Sequence, residues 1–95
     1  IDFGVVIGKF SIVNINATIC HNTKISENVL LSPNSVVLGN CRIGEGTFIG
    51  SNSTINPNIT VSENSIIGSA SVVIKDCQES GIYVGNPVKL IKTYK

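Results

Sequence analysis

One imidazole is available to this chain of 95 residues, that of His21, and eighteen positions later stands a glycine, Gly39. An imidazole ordinarily titrates near about pH 6.5, which suits a general base at neutral pH. A glycine presents its backbone N–H with no side chain in front of it, as an oxyanion donor must. By composition alone, a lone histidine reads as plain surface. Cys20, Cys41 and Cys77 show no C-x-x-C spacing and no even pairing, and neither Cys20 nor Cys41 has a base placed to activate it. They read as reduced structural thiols of a cytoplasmic protein. Glu27, Glu45 and Glu63 also recur at eighteen. Stacked like charges repel unless solvated, so a hydrated edge is a better account than a carboxylate cluster. A zinc site of three imidazoles is out of reach of one histidine, and no metal is expected. The glycines around Gly44, Gly50 and Gly68 match no phosphate loop or dinucleotide fingerprint.

What gives the eighteen-residue spacing meaning is a shorter one. An aliphatic residue returns at every sixth position from Ile1 to Val73: Ile1, Ile7, Val13, Ile19, Ile25, Leu31, Val37, Ile43, Ile49, Ile55, Val61, Ile67 and Val73. A helix repeats at 3.6 and a half-buried strand at two, so a strict six belongs to neither. It marks stacked repeats, each too small to bury its own apolar face. Three residues after each aliphatic the chain mostly has Asn or Gly, which accept positive φ at least cost and mark a recurring tight corner. Four residues after it the side chain is mostly small, as in Ser11, Thr23, Ser35, Cys41, Thr47 and Ser53. Each unit is a short strand and a corner, and the whole is an all-β solenoid with flat sides.

The frame runs to residue 74, and residues 75–95 read as a polar exit loop followed by a C-terminal cap. In that cap Ile82-Tyr83-Val84 is a short strand and Gly85-Asn86-Pro87 a turn, before a capping strand or short helix over residues 88–92. Phe3 and Phe10 interrupt the polar corners, which suggests surface covered by another segment or subunit. The chain has no initiator Met, and reads as a piece of a longer protein. Net charge is +1, although Lys75, Lys89, Lys92 and Lys95 supply four of the seven basic residues from the last quarter. Nothing in this balance calls for nucleic acid or an acidic membrane, and no apolar run approaches about 20 residues.

With the hexads and the closing Gly85-Asn86-Pro87-Val88-Lys89 in view, the chain resembles the hexapeptide-repeat acyltransferases. It is most similar to the branch of sialic-acid O-acetyltransferases and nucleotide-amino-sugar N-acetyltransferases, on Ile19-Cys20-His21 placed before Gly39-Asn40 and on the tail from Ile67 to Lys92. The resemblance implies a left-handed parallel β-helix of about four coils, eighteen residues each, despite the usual right-handed preference of parallel crossovers. It also implies a homotrimer with acetyl-CoA in the groove between neighbours, and an N-terminal nucleotide-sugar domain that is absent from this chain.

Eighteen residues per coil sort the corners into three columns: Phe3, His21, Gly39, Pro57; Lys9, Glu27, Glu45, Glu63; and Ile15, Pro33, Ser51, Ser69. Coils stack about 4.8 Å apart, so His21 falls one rung from Gly39. By resemblance His21 is the base that deprotonates a sugar amine or hydroxyl, and the Gly39 N–H holds the oxyanion. The backbone near Ser51 and Ser69 lines the pantetheine groove, and Lys75 or Lys89 meets the CoA phosphates. Two positions depart from the branch. Asn22 stands where an acidic partner of the imidazole is common, and Leu30 where a second histidine is common; both are expected near the acceptor. The function so implied is acetyl-CoA-dependent acetylation of a sugar by direct attack, with no covalent enzyme intermediate. The alternative is a non-catalytic solenoid that serves as a trimerisation module or scaffold.

Overall fold

The computed structural model describes residues 1–94; Lys95, one of the terminal basic residues, lies outside the described residues. The chain winds into a three-sided prism, 33 × 23 × 22 Å, with no helix among the described residues. The first face stacks Val6–Ile7, Lys24–Ile25, Arg42–Ile43 and Thr60–Val61. The second stacks Ile12–Val13, Leu30–Leu31, Phe48–Ile49 and Ile66–Ile67, and the third Thr18–Ile19, Val36–Val37, Thr54–Ile55 and Val72–Val73. Within these twelve strands every pairing is parallel and in a register of eighteen, as in Lys24↔Arg42 and Thr18↔Val36.

The hexad aliphatics point inward and pack on one another down the axis. From Ile19 to Val73 each is at most 1% exposed, and together they form the core. The corners follow from the Asn/Gly column. Asn16, Asn22, Asn28, Asn34, Asn40, Asn52, Asn58 and Asn64 all hold φ between 55° and 64°, with Gly4 and Gly46 likewise positive. That conformation aims each N–H at the coil before: Asn40 donates to the His21 carbonyl at 2.9 Å and Asn58 to that of Gly39 at 2.9 Å. Phe10 and Ala70 adopt the same positive φ without the side chain suited to it.

The column of small residues has a second function. Thr23 Oγ1 donates to the Leu38 carbonyl at 2.9 Å and accepts the Cys41 N–H at 3.2 Å. Ser53 Oγ likewise donates to Gly68 at 2.6 Å and accepts the Ser71 N–H at 3.2 Å. These hydroxyls satisfy buried backbone groups where the corner takes the chain out of the strand ladder. Val29 and Ile59 occupy the same column and are buried with the core instead.

Beyond Val73 the regular strands give way to an irregular segment over residues 74–80 that carries a single isolated bridge. Cys77 is buried and bridges Val61, and Tyr83 pairs with Ile67 on the second face. Both offsets are sixteen, so a partial further rung, two residues shorter, covers the first and second faces where the hexad pattern has ended, and the third face gains no strand. Gly81–Gly85 then turns back antiparallel into Val88–Thr93, which is a strand and not a helix and widens the second face.

Candidate active site

The edge between the third and first faces carries Phe3, His21, Gly39 and Pro57 on successive coils. The His21 ring lies against the α-carbon of Gly39. A β-carbon built on Gly39 would stand 2.6 Å from both Cε1 and Nε2 of the imidazole. Gly39 is not among the residues of positive φ, so its backbone does not require glycine; the space taken by the imidazole does. Among the described residues the Gly39 N–H donates to no backbone carbonyl, although Asn40 beside it does. On its other side the imidazole stacks on Phe3, with ring centroids 5.7 Å apart and planes 14° from parallel. Phe3 thus holds the ring plane, a contact that its column placement allowed but that sequence reasoning did not single out.

His21 Nδ1 is buried and has no hydrogen-bond partner. Asn22, at the position where an acidic residue would hold the ring, does not supply one. Its carboxamide instead lies over Gly4 in the coil before, while the residue borders a hollow on the first face with Lys24, Asn40, Cys41 and Arg42. Leu30 is far from this edge in sequence frame and in space, on the outer surface of the second face opposite it.

Ser51 and Ser69 lie on the edge between the second and third faces, where the Ala70 N–H donates to the Ser51 carbonyl at 2.8 Å. One chain therefore does not bring them to His21. Lys75 follows Val73 by two residues, the offset of His21 from Ile19 and of Gly39 from Val37. It thus continues the His21 edge three rungs on, roughly 14 Å away at the spacing of stacked strands. There it borders a cavity of about 300 Å³ with Cys77, Tyr83, Pro87 and Val88. Lys89 is exposed on the last strand, paired with Val84.

The glutamates Glu27, Glu45 and Glu63 stack on the remaining edge, where the Gly46 N–H meets the Glu27 carbonyl and the Asn64 N–H that of Glu45. Burial, and then the neighbouring Asp76 carboxylate, pushes the Cys77 thiol up to about 11. Burial also raises Cys41, against backbone hydrogen bonds from Ile59 and Asn58 that lower it. Neither thiol has the lowered pKa of a nucleophile.

Residues 22–57 and 40–75 match the family model described as bacterial transferase hexapeptide (six repeats). No curated protein matches the chain. Among solved structures, a mutant perosamine N-acetyltransferase from Caulobacter crescentus, in complex with CoA and GDP-perosamine, superposes with a TM-score of 0.90 at 27% identity, over 93% of this chain and 42% of that one. UDP-N-acetylglucosamine O-acyltransferase from Moraxella catarrhalis gives 0.90 at 27%, over 96% and 35%. The acetyltransferase domain of PglB from Neisseria gonorrhoeae, in complex with acetyl coenzyme A, gives 0.82 at 24%, over 95% and 54%, a likeness of fold alone. The chain thus spans about a third to a half of the length of these relatives. Six-residue units that stack as parallel coils, matched over more than half of the chain, make it a member of the bacterial hexapeptide-repeat transferase family, the left-handed parallel β-helices.

Proposed function

We propose that this chain is the acyl-transfer unit of an acetyl-CoA-dependent sugar acetyltransferase, with His21 as general base and the Gly39 N–H as oxyanion donor. The observation that carries the reading is the imidazole packed on the bare α-carbon of Gly39, one rung along the same edge. The acceptor amine or hydroxyl attacks the thioester carbonyl carbon while the imidazole takes its proton. Burial of Nδ1 leaves Nε2 as the nitrogen that an acceptor can reach. The Gly39 N–H faces the carbonyl oxygen as negative charge collects there. Collapse of the tetrahedral intermediate expels the CoA thiolate, which recovers the proton from the imidazolium. The donor extends along the His21 edge, with Lys75 meeting its phosphates as a point charge. Ser51, Ser69 and Lys89 then belong to the groove only through a neighbouring copy.

A homotrimer fits this arrangement. The outward residues of the second face, Ile12, Leu30, Phe48 and Ile66, form an apolar ladder in register. Ile12 is 54% exposed and Phe48 36% in the single chain. In a prism the second face lies opposite the His21 edge. A closed ring in which each copy offers this face to the next copy's edge encloses His21 in a cleft shared by two chains, and brings a neighbour's Leu30 toward it. The acceptor is an amino sugar or sialic acid, and the free thiols suit a reducing cytoplasm.

The test is release of CoA from acetyl-CoA by the full-length protein in the presence of amino sugars and sialic acids. His21→Ala should lower kcat by about 10²–10⁴, the range of a lost general base; wild-type turnover in that variant excludes the assignment.

A further inference from the structure

The outward positions of the first face run Val6, Lys24, Arg42 and Thr60, and the parallel register places Lys24 directly beside Arg42. Like charges on adjacent strands about 4.8 Å apart destabilise a sheet. Water can solvate the two exposed head groups, but an anion held between them would relieve the repulsion directly. Lys24 and Arg42 frame a hollow of about 180 Å³ whose other walls are Asn22, Asn40 and Cys41, with no acidic side chain in the lining.

Asn22 follows His21 in the chain and Asn40 follows Gly39, so this hollow opens directly beside the His21 edge. Both asparagines are anchored, with φ of 57° and 58° and their N–H groups bonded to the Phe3 and His21 carbonyls. An ammonium and a guanidinium thus border a hollow whose floor is fixed backbone at Asn22 and Asn40. That set recognises an oxyanionic group, and the guanidinium can take two of its oxygens at once.

The anion cannot be a CoA phosphate. In acetyl-CoA the phosphates and the thioester lie at opposite ends of the pantetheine arm, and this hollow adjoins the base that must sit at the thioester. We infer that Lys24 and Arg42 bind an anionic group of the acceptor sugar, a diphosphate or a carboxylate, and so select charged acceptors over neutral ones. The inference rests on the acetyl-transfer reading above.

Steady-state kinetics of the full-length protein test it, with three acceptors: a nucleoside-diphosphate amino sugar, a sialic acid, and a simple amino sugar that carries neither phosphate nor carboxylate. Arg42→Gln and Lys24→Gln should each raise KM for the charged acceptor about tenfold or more, the loss expected of one hydrogen bond to a charged group. Thr60→Val, on the same face but outside the hollow, should leave that KM in place. Which of the two charged acceptors shows the rise identifies the anion. A change below twofold for both, or a rise confined to KM for acetyl-CoA, overturns the proposal.

A binding measurement separates the two readings. Inorganic pyrophosphate and a sialic acid are titrated separately into the protein and followed at the backbone amide resonances of Asn22, Asn40 and Cys41, which line the hollow. Shifts that disappear in Arg42→Gln support the site, and no shift with either anion overturns it. Shifts in a protein that acetylates no sugar retain an anion site but overturn the acetyl-transfer reading, and the acceptor assignment with it.

Discussion

Gly39 and His21 are coupled by volume. A methyl group on Gly39 would stand 2.6 Å from the imidazole, so the ring must leave its place between Gly39 and Phe3. The fold does not need glycine there, because the backbone lies outside the left-handed region. Gly39→Ala should therefore leave the thermal midpoint within a few degrees of wild type and, with His21 as the proposed base, lower kcat by about tenfold or more, since displacing a base removes its geometry before its chemistry. Circular dichroism melts beside turnover check both halves; a variant that keeps full kcat removes the packing argument. The sequence brought these two residues to one edge because the register of eighteen is written in the aliphatics. It could not show the stacked Phe3 ring or the orphaned Nδ1, since both depend on side-chain rotamers that carry no period. Lys24 and Arg42 were equally silent, as outward positions in a solenoid are free to vary in type without disturbing the frame.

At the scale of the single coil, stability depends on what happens at each corner. Ser53 joins two successive coils, through the Gly68 carbonyl and the Ser71 N–H, and is fully buried. Ser53→Ala should cost about 1–3 kcal/mol in urea unfolding, because two buried backbone groups lose their partner at once. A loss below about 0.5 kcal/mol would mean that water or a backbone shift replaces the hydroxyl. Ala70 is the converse case, an ordinary residue held at φ 55°. Ala70→Asn should stabilise by about 1 kcal/mol in the same assay by relieving that conformation. The Asn column was legible as a turn position, and the small column was legible as small. Its bridging function was not, because smallness alone does not distinguish a residue that fits from one that donates. Beyond Val73 the strand around Tyr83 was legible, but the bridge at Cys77 was not. Cys77 is flanked by Lys75, Asp76, Gln78 and Glu79, which are polar enough to read as loop.

As a whole the molecule is a stack in which each coil touches only its neighbours, and its last rung encloses a thiol. Cys77 is neutral in the folded chain well above the pH at which an exposed thiol ionises, since its pKa is raised from 9.0 to about 11. The unfolded chain therefore releases this proton first. Its contribution to stability is complete below about pH 9 and is lost as the pH rises through 9 toward 11. The urea midpoint of the wild type should fall between pH 8 and pH 10.5 by more than that of Cys77→Val; equal falls would place the linkage in other groups. The collinear edge has a different consequence. His21, Gly39 and Lys75 are graduations on a ruler whose unit is one coil. Splicing eighteen residues of pure repeat between Asn58 and Val73 would slide Lys75 down by a single graduation and leave the upper marks untouched. On the function proposed for that edge, a transferase built this way is recalibrated for a longer or shorter donor by counting turns.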